Sequence, residues 1–228
     1  MTYYQSELAR IHHEAFGDYA DLVAPGVISR IGNTHSVVEL GCGSGSLTRH
    51  MLSAGHEVLA TDASPAMLEL ARQEVPEANP RPLVLPGDPI PSTDAVVALG
   101  HVFNYLESKA EFEQGVMAAA SAGKVFLTDM LDLSYADSRP DPVEFYHEGE
   151  GWKLWTINRL ETPQLVVREM TIETDDGTTH EVHRNLLVDS TALANLLEEA
   201  GFGVAITTAF GEETLPPGFV VLETKRPS

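Results

Sequence analysis

Apolar positions change period along the chain, and each change marks an element. From Gln5 to Ile31, Leu8, Ile11, Ala15, Phe16, Leu22, Val23, Val27 and Ile28 recur at helical spacing, which predicts one or two helices. Short apolar runs at Ser36–Leu40, His56–Thr61, Leu83–Pro86, Ala95–Leu99 and Lys124–Asp129 predict buried strands. Helical stretches lie between them: Leu47–Ala54, a helix opened by Ser64 as cap and Pro65 as first residue, and Glu107–Ser121. Such alternation predicts an α/β fold with a parallel sheet covered on both faces. The period switches after Leu133. Residues 134–142 are turn-rich, and Trp152–Leu160, Gln164–Thr174 and Thr179–Val188 read as strands, with Asp175, Asp176 and Gly177 as a hairpin turn. Residues 134–189 are therefore expected to form an antiparallel meander. Ser190 is expected to cap a helix to Ala200, ended by Gly201, and Val204–Thr208 and Phe219–Thr224 to close the fold as two strands.

The length of 228 residues fits one domain spanning 1–228. No apolar run approaches the roughly 20 residues of a membrane span, and the N-terminus lacks a basic-then-apolar leader pattern. The single cysteine, Cys42, has no internal disulfide partner. These features predict a cytoplasmic protein without a membrane partner, either monomer or homodimer. Fourteen Lys and Arg stand against 34 Asp and Glu, for a formal charge of -20. That balance repels nucleic-acid backbones and excludes them as expected partners. It is compatible with simple solubility, or with a cationic cofactor or amine substrate. The nine histidines show no zinc-type clustering, and His12 and His13 are adjacent on a helix, so no essential metal is expected.

The candidate chemistry begins at Val38-Glu39-Leu40-Gly41-Cys42-Gly43-Ser44-Gly45-Ser46, between a strand and a helix. Glycines there permit a tight turn and close approach of a ligand to the main chain. The following helix offers free amide donors. Roughly twenty residues on, Asp62 ends the second strand, where a carboxylate can accept both ribose hydroxyls. The arrangement points to a nucleoside cofactor. Ser46 stands where a dinucleotide fingerprint wants a third glycine, which disfavours a nicotinamide enzyme.

With the acidic Glu39 two residues before it, the loop resembles motif I of the class I S-adenosylmethionine-dependent methyltransferases, E/D-x-G-x-G-x-G. The resemblance implies a Rossmann-like seven-stranded sheet with the last strand antiparallel. Glu39 would lie near the methionine part of the cofactor, with Gly41, Cys42, Gly43 and Gly45 passing beneath it. In Thr61-Asp62-Ala63-Ser64-Pro65-Ala66-Met67-Leu68, Asp62 and Ala63 would meet the ribose and Met67 the adenine. Gly87-Asp88-Pro89 matches the segment whose acid meets the adenine amino group. Leu99-Gly100-His101-Val102-Phe103-Asn104-Tyr105-Leu106 matches the segment lining the transferred methyl, and Ala200-Gly201-Phe202 a late turn. The family's L-x-P-G-G turn before strand five is shortened here to Ala120-Ser121-Ala122-Gly123-Lys124. In related enzymes the N-terminal segment, here 1–31, acts as a lid, and Tyr3, Tyr4 and Phe16 would cover the cofactor, their faces attracting the sulfonium.

The resemblance is closest to the small-molecule branch, including sugar-amine N-methyltransferases and natural-product O-methyltransferases. It implies methyl transfer to a nitrogen or oxygen of a small molecule. A protein that binds S-adenosylmethionine without methyl transfer, cyclase-like or ligand-sensing, is the alternative. Because the cofactor brings the activation, the protein mainly orients and desolvates. His101 and Asp129, at the carboxyl ends of their strands, and His183 on the third meander strand are the catalytic candidates. Asn104, Tyr105, Tyr146 and Trp155 are candidate substrate contacts, with Trp152 beside them in the meander.

Overall fold

The computed structural model describes residues 3–226, so the first two residues of the 1–31 segment and the last two of the chain lie outside it. Helices α1 (Ser6–Phe16) and α2 (Asp18–Ile31) lead into strand β1 (Ser36–Leu40), helix α3 (Ser46–Ser53), β2 (Glu57–Asp62), α4 (Pro65–Glu74), β3 (Arg81–Pro82) and β4 (Ala95–Ala98). Helix α5 (Lys109–Ala122) and β5 (Val125–Leu131) follow. Then come the meander strands β6 (Val143–Gly149), β7 (Trp152–Thr162), β8 (Leu165–Thr174) and β9 (Gly177–Leu186). The chain ends with α6 (Ser190–Glu199), β10 (Gly203–Thr207), the small hairpin β11 (Ala209–Phe210) and β12 (Glu213–Thr214), and β13 (Phe219–Lys225).

The main sheet has seven strands in the order β10-β13-β5-β4-β1-β2-β3. All neighbours from β3 to β5 pair parallel, and β13 runs antiparallel to both β5 and β10. This is the Rossmann-like seven-stranded sheet with an antiparallel last strand expected from the sequence. Alternate residues of its strands feed two cores. Val37, Ala60, Ala95, Val97, Leu127 and Val221 pack with residues of α2, α3 and α4. Val38, Leu40, Val96, Ala98, Phe126 and Leu222 pack with α5 and α6 on the other face. Each fully buried Val, Leu or Phe here contributes roughly 1.5–3 kcal/mol.

The meander is a separate four-stranded antiparallel sheet in the order β6-β7-β8-β9. Helix α1 lies against it: Leu8 and Ile11 share a core with Trp152, Leu154, Met170 and Ile172, and the Trp152 indole N–H donates to Glu14 Oε2 at 2.7 Å. The N-terminal segment is thereby tied to the meander rather than free.

Several boundaries differ from those the sequence suggested. The strand expected at Leu83–Pro86 is the two-residue β3 at Arg81–Pro82, because Pro82 and Pro86 lack the amide donors a longer ladder needs. Strand β6 was not expected; its residues are mostly exposed and show no alternation of burial. Asp189, not Ser190, caps α6 by accepting from Ala192 N, while Ser190 Oγ donates to Asp132 at 2.7 Å. In α4 the expected cap is present, Ser64 Oγ accepting from Met67 N with Pro65 next.

Gly45 has φ +91, and a Cβ there would stand 2.4 Å from Val75 Cγ2. Gly45→Ala is therefore expected to cost roughly 2–3 kcal/mol from overpacking and left-handed strain, lowering the melting temperature by roughly 5–10 °C. Thermal unfolding of the variant checks this. No helix among the described residues is long and apolar enough to cross a membrane.

Candidate active site at the carboxyl end of the sheet

The glycine loop leaves β1 at Gly41 (φ +69) and turns again at Gly43 (φ +56). Asp62 holds this turn. Its Oδ2 accepts from Gly43 N at 2.9 Å and its Oδ1 from Ser64 N at 2.7 Å. One carboxylate thus fixes both the loop and the start of α4, and its remaining lone pairs stay available to a ligand. Burial raises the Asp62 pKa, against the lowering effect of those amides. A Cβ on Gly43 would meet only Met67 Sδ at 3.9 Å, and one on Gly100 would meet nothing within 4 Å. There is room beside Gly43 and Gly100, with Met67 at its side, whereas Val102 closes on Gly41 and Val75 on Gly45.

Glu39 is 3% exposed and accepts a hydrogen bond from Thr48 Oγ1. Burial pushes its pKa up to about 8, with Asp62 adding to the rise. Cys42 is buried, and its thiol is pushed well above its ordinary range, chiefly by burial. It packs the loop and supplies no thiolate.

After β4, Gly100 (φ +86) and His101 (φ +49) both adopt left-handed backbone. A histidine held there is strained by about 1–2 kcal/mol. Asp129, at 2% exposure in β5, holds it by accepting from His101 N at 2.9 Å. Burial pushes the Asp129 pKa up to about 6, although the His101 and Gly100 amides oppose this. The His101 ring stacks on Tyr105 at 5.6 Å and meets Phe219 edge-on at 5.9 Å. Its Nε2 is buried with no partner among the described residues. Burial pushes its pKa down to about 3, with the Arg168 charge the next cause, so the ring is neutral at physiological pH.

Tyr4 (φ +54) is pinned from three sides. Its N–H donates to Glu181 Oε2 at 3.0 Å, its carbonyl accepts from Ser64 Oγ at 2.8 Å, and its hydroxyl pairs with Tyr105 at 3.0 Å. Glu181 Oε1 also accepts from Gln5 N, placing a carboxylate at the start of α1 where the helix dipole favours it. His183 stands against Glu181, Nε2 to Oε2 at 2.9 Å, and its ring lies 4.8 Å from Tyr3, 4.9 Å from Tyr4 and 5.6 Å from Tyr105. His101, Tyr105, His183, Tyr3 and Tyr4 therefore form one aromatic cluster linking β4, the meander and the N-terminal segment.

Other candidates stand elsewhere. Asn104 does not reach for a substrate: it is fully buried, donates to the carbonyls of Leu131 and Leu186, and accepts from Leu131 N. Its amide joins β5 to β9. Tyr146 and Trp155 pair at 5.2 Å on the face of the meander opposite buried Leu154 and Thr156, with Tyr146 48% exposed. They form no wall in the cluster, because period-2 alternation turns position 155 outward. Asp88 is exposed and closes a turn by accepting from Val84 N at 2.8 Å, with Gly87 and Pro89 exposed beside it. Phe16 is 36% exposed and packs on His12 and His147. Ala63 is exposed next to Asp62, and Leu99 is partly buried against the α2–α4 core.

Sequence reasoning missed three residues near the site. His13 Nδ1 lies 2.8 Å from Ser44 Oγ on the glycine loop, and His12 meets Tyr4 edge-on at 5.1 Å. Arg168 was missed as well. The sequence carries no signal for it: Glu181, His183 and Asn185 alternate with Val182 and Arg184, and only the packing makes the polar set the buried one.

A family model described as a methyltransferase domain matches residues 38–124. An uncharacterized methyltransferase of Bacillus licheniformis is 35% identical over 129 residues, which are 53% of this chain and 57% of that relative. The match thus spans little more than half of the relative's length. The CcbJ methyltransferase of Streptomyces caelestis superposes with a TM-score of 0.78 at 16% identity, covering 100% of this chain and 99% of that one. The sugar N-methyltransferase KedS8 of Streptoalloteichus superposes with a TM-score of 0.76 at 19% identity, covering 99% and 94%. These likenesses show that the seven-stranded sheet and the meander share one fold with both. Among the described residues, no three His, Cys, Asp or Glu side chains gather as a metal site requires.

Proposed function

We propose that this chain transfers a methyl group from S-adenosylmethionine to a nitrogen or oxygen of a small molecule. The observation that carries the reading is Asp62 bonded at once to Gly43 N and Ser64 N, next to room left at Gly43 and Gly100, where an added Cβ would meet nothing closer than 3.9 Å. Those residues fit an adenosyl group: Asp62 would hold the ribose hydroxyls, Met67 would flank the base, and Glu39 would face the methionine ammonium. The bound cofactor supplies an activated methyl on its sulfonium. The chain's own part is to orient the acceptor, exclude water and keep the accepting atom unprotonated.

Nitrogen is the favoured acceptor. A histidine pushed down to about 3 is too weak a base to deprotonate a hydroxyl efficiently. It can still orient a neutral amine, and the nearby Arg168 charge disfavours the ammonium form. The segment 1–31, pinned at Tyr4, would close over both ligands, and residues 134–189 would shape the acceptor site. The sugar N-methyltransferase likeness supports a small-molecule acceptor. A screen of amine and hydroxyl metabolites for formation of S-adenosylhomocysteine tests this reading. Turnover with small amines supports it, and product formation only with protein or nucleic acid overturns it.

One linkage follows from Glu39. Its pKa is about 8 in the free protein and falls when a cationic ammonium pairs with it. At pH 6.5 the free group is protonated, so cofactor binding is expected to release about one proton, and affinity to rise with pH until about 8. Titration calorimetry in buffers of different ionisation enthalpy measures the proton count. Glu39→Gln should bring it near zero.

A further inference from the structure

The inner face of the meander carries a polar row where a sheet packed against a core normally carries apolar side chains. Asn158 pairs with Arg168, and Arg168 with His183, in register across β7, β8 and β9, and Asn185 follows two residues on. Asn158 is 5% exposed, and His183 and Asn185 are each 1% exposed. Some of their polar atoms have partners, Asn158 Nδ2 with the Tyr135 hydroxyl and His183 Nε2 with Glu181, and others do not. Asn158 Oδ1, Arg168 Nε, His183 Nδ1, and both Oδ1 and Nδ2 of Asn185 are buried without a hydrogen-bond partner among the described residues. Orphaned groups of this number on one face are costly unless a ligand meets them.

Arg168 is the charged member. The carboxylates near it in sequence and register are engaged elsewhere: Glu169 with Arg159, Glu181 with His183, and Glu161 with Arg184. Among the described residues, none forms an ion pair with Arg168. Arg139 is also half-buried without a carboxylate, but the Pro217 carbonyl and the Tyr135 ring meet its guanidinium, whereas no hydrogen bond reaches Arg168 Nε. Its field reaches the aromatic cluster, where it helps lower the pKa of His12, His101 and His183.

We infer that Arg168 anchors a carboxylate of the methyl acceptor, with Asn158, His183 and Asn185 flanking it. The inference rests on the methyltransferase reading and names the acceptor class for that site. A guanidinium presents a planar fork matched to a carboxylate. One cation balances one negative charge. A phosphate dianion would call for a second cation, and the row holds only amides and an imidazole otherwise, with Glu181 beside them. A neutral acceptor would leave Arg168 Nε buried without a partner and the charge without a counter-ion.

The test compares matched probes that differ only in charge. Acetate, benzoate and 3-phenylpropanoate are titrated against their amides, with phenyl phosphate as the dianion, using protein alone and protein saturated with S-adenosylhomocysteine. At least one carboxylate is expected to bind about tenfold or more tightly than its amide, and Arg168→Met to erase that preference. Arg168→Lys is expected to retain part of it. Equal binding of acids and amides overturns the inference, as does tighter binding of phenyl phosphate, or a preference that survives in Arg168→Met. The acid–amide ratio of the unaltered protein decides the matter even if a variant fails to fold. Failure of S-adenosylhomocysteine to bind would strike the methyltransferase reading separately.

Discussion

Asp62→Ala is expected to weaken binding of S-adenosylmethionine by about 2–3 kcal/mol, roughly a hundredfold in Kd, with the fold retained. Two losses combine. The ribose hydroxyls lose a charged acceptor, and hydrogen bonds to charged groups are worth about 1.5–3 kcal/mol each. The loop also loses its anchor, because Gly43 N and Ser64 N donate to the same carboxylate. Asp62→Asn separates the two, since its amide oxygen can still accept from one of those donors. It should recover part of the affinity. Calorimetric titration of the two variants, with circular dichroism as the folding control, makes the comparison. An unchanged affinity in Asp62→Ala would remove this residue from the cofactor.

The second large effect is expected at His101. His101→Asn should lower kcat by about a hundredfold while leaving S-adenosylmethionine affinity within about threefold, the size of effect that misplacing a reacting group produces. Asparagine is the informative replacement because it tolerates the left-handed backbone at φ +49. The variant therefore removes the imidazole without disturbing the amide that donates to Asp129. The pH profile should carry the mark of Asp129 and not of a histidine. Asp129 is raised to about 6 by burial, and His101 is already neutral above about 3. Activity that depends on the ionised carboxylate would fall as pH drops through 6, and Asp129→Asn would flatten that limb. Equal losses in kcat and in cofactor affinity for His101→Asn would make His101 a cofactor contact.

These effects trace to residues that differ in how plainly the sequence announced them. The glycine loop, Asp62 and the Ser64-Pro65 helix start were legible because each is a local device: a turn, a strand end and a cap. The alternation of strands and helices was legible for the same reason, since both faces of a parallel sheet are buried and its strands read as continuous apolar runs. Strand β6 was not, because an exposed edge strand buries neither face and leaves no alternation to read. The substrate contacts were the least legible. Trp155 and Tyr146 attract attention as aromatics, yet the pleat turns them outward. Asn104 sits beside His101 in sequence, but the tight turn after it spends its amide on the backbone of β5 and β9. The buried polar row at Arg168 breaks the rule that the apolar face of a strand is the inner one. Tertiary placement of α1 and the meander sets that inversion, and local pattern does not report it.

We propose that the loop from Gly41 to Gly45, held by Asp62, receives S-adenosylmethionine. Calorimetric titration of the purified chain with S-adenosylhomocysteine and, separately, with NADH tests it most directly. Saturable 1:1 binding of the adenosyl ligand with no binding of NADH is the result expected. Binding of NADH with none of S-adenosylhomocysteine would contradict it.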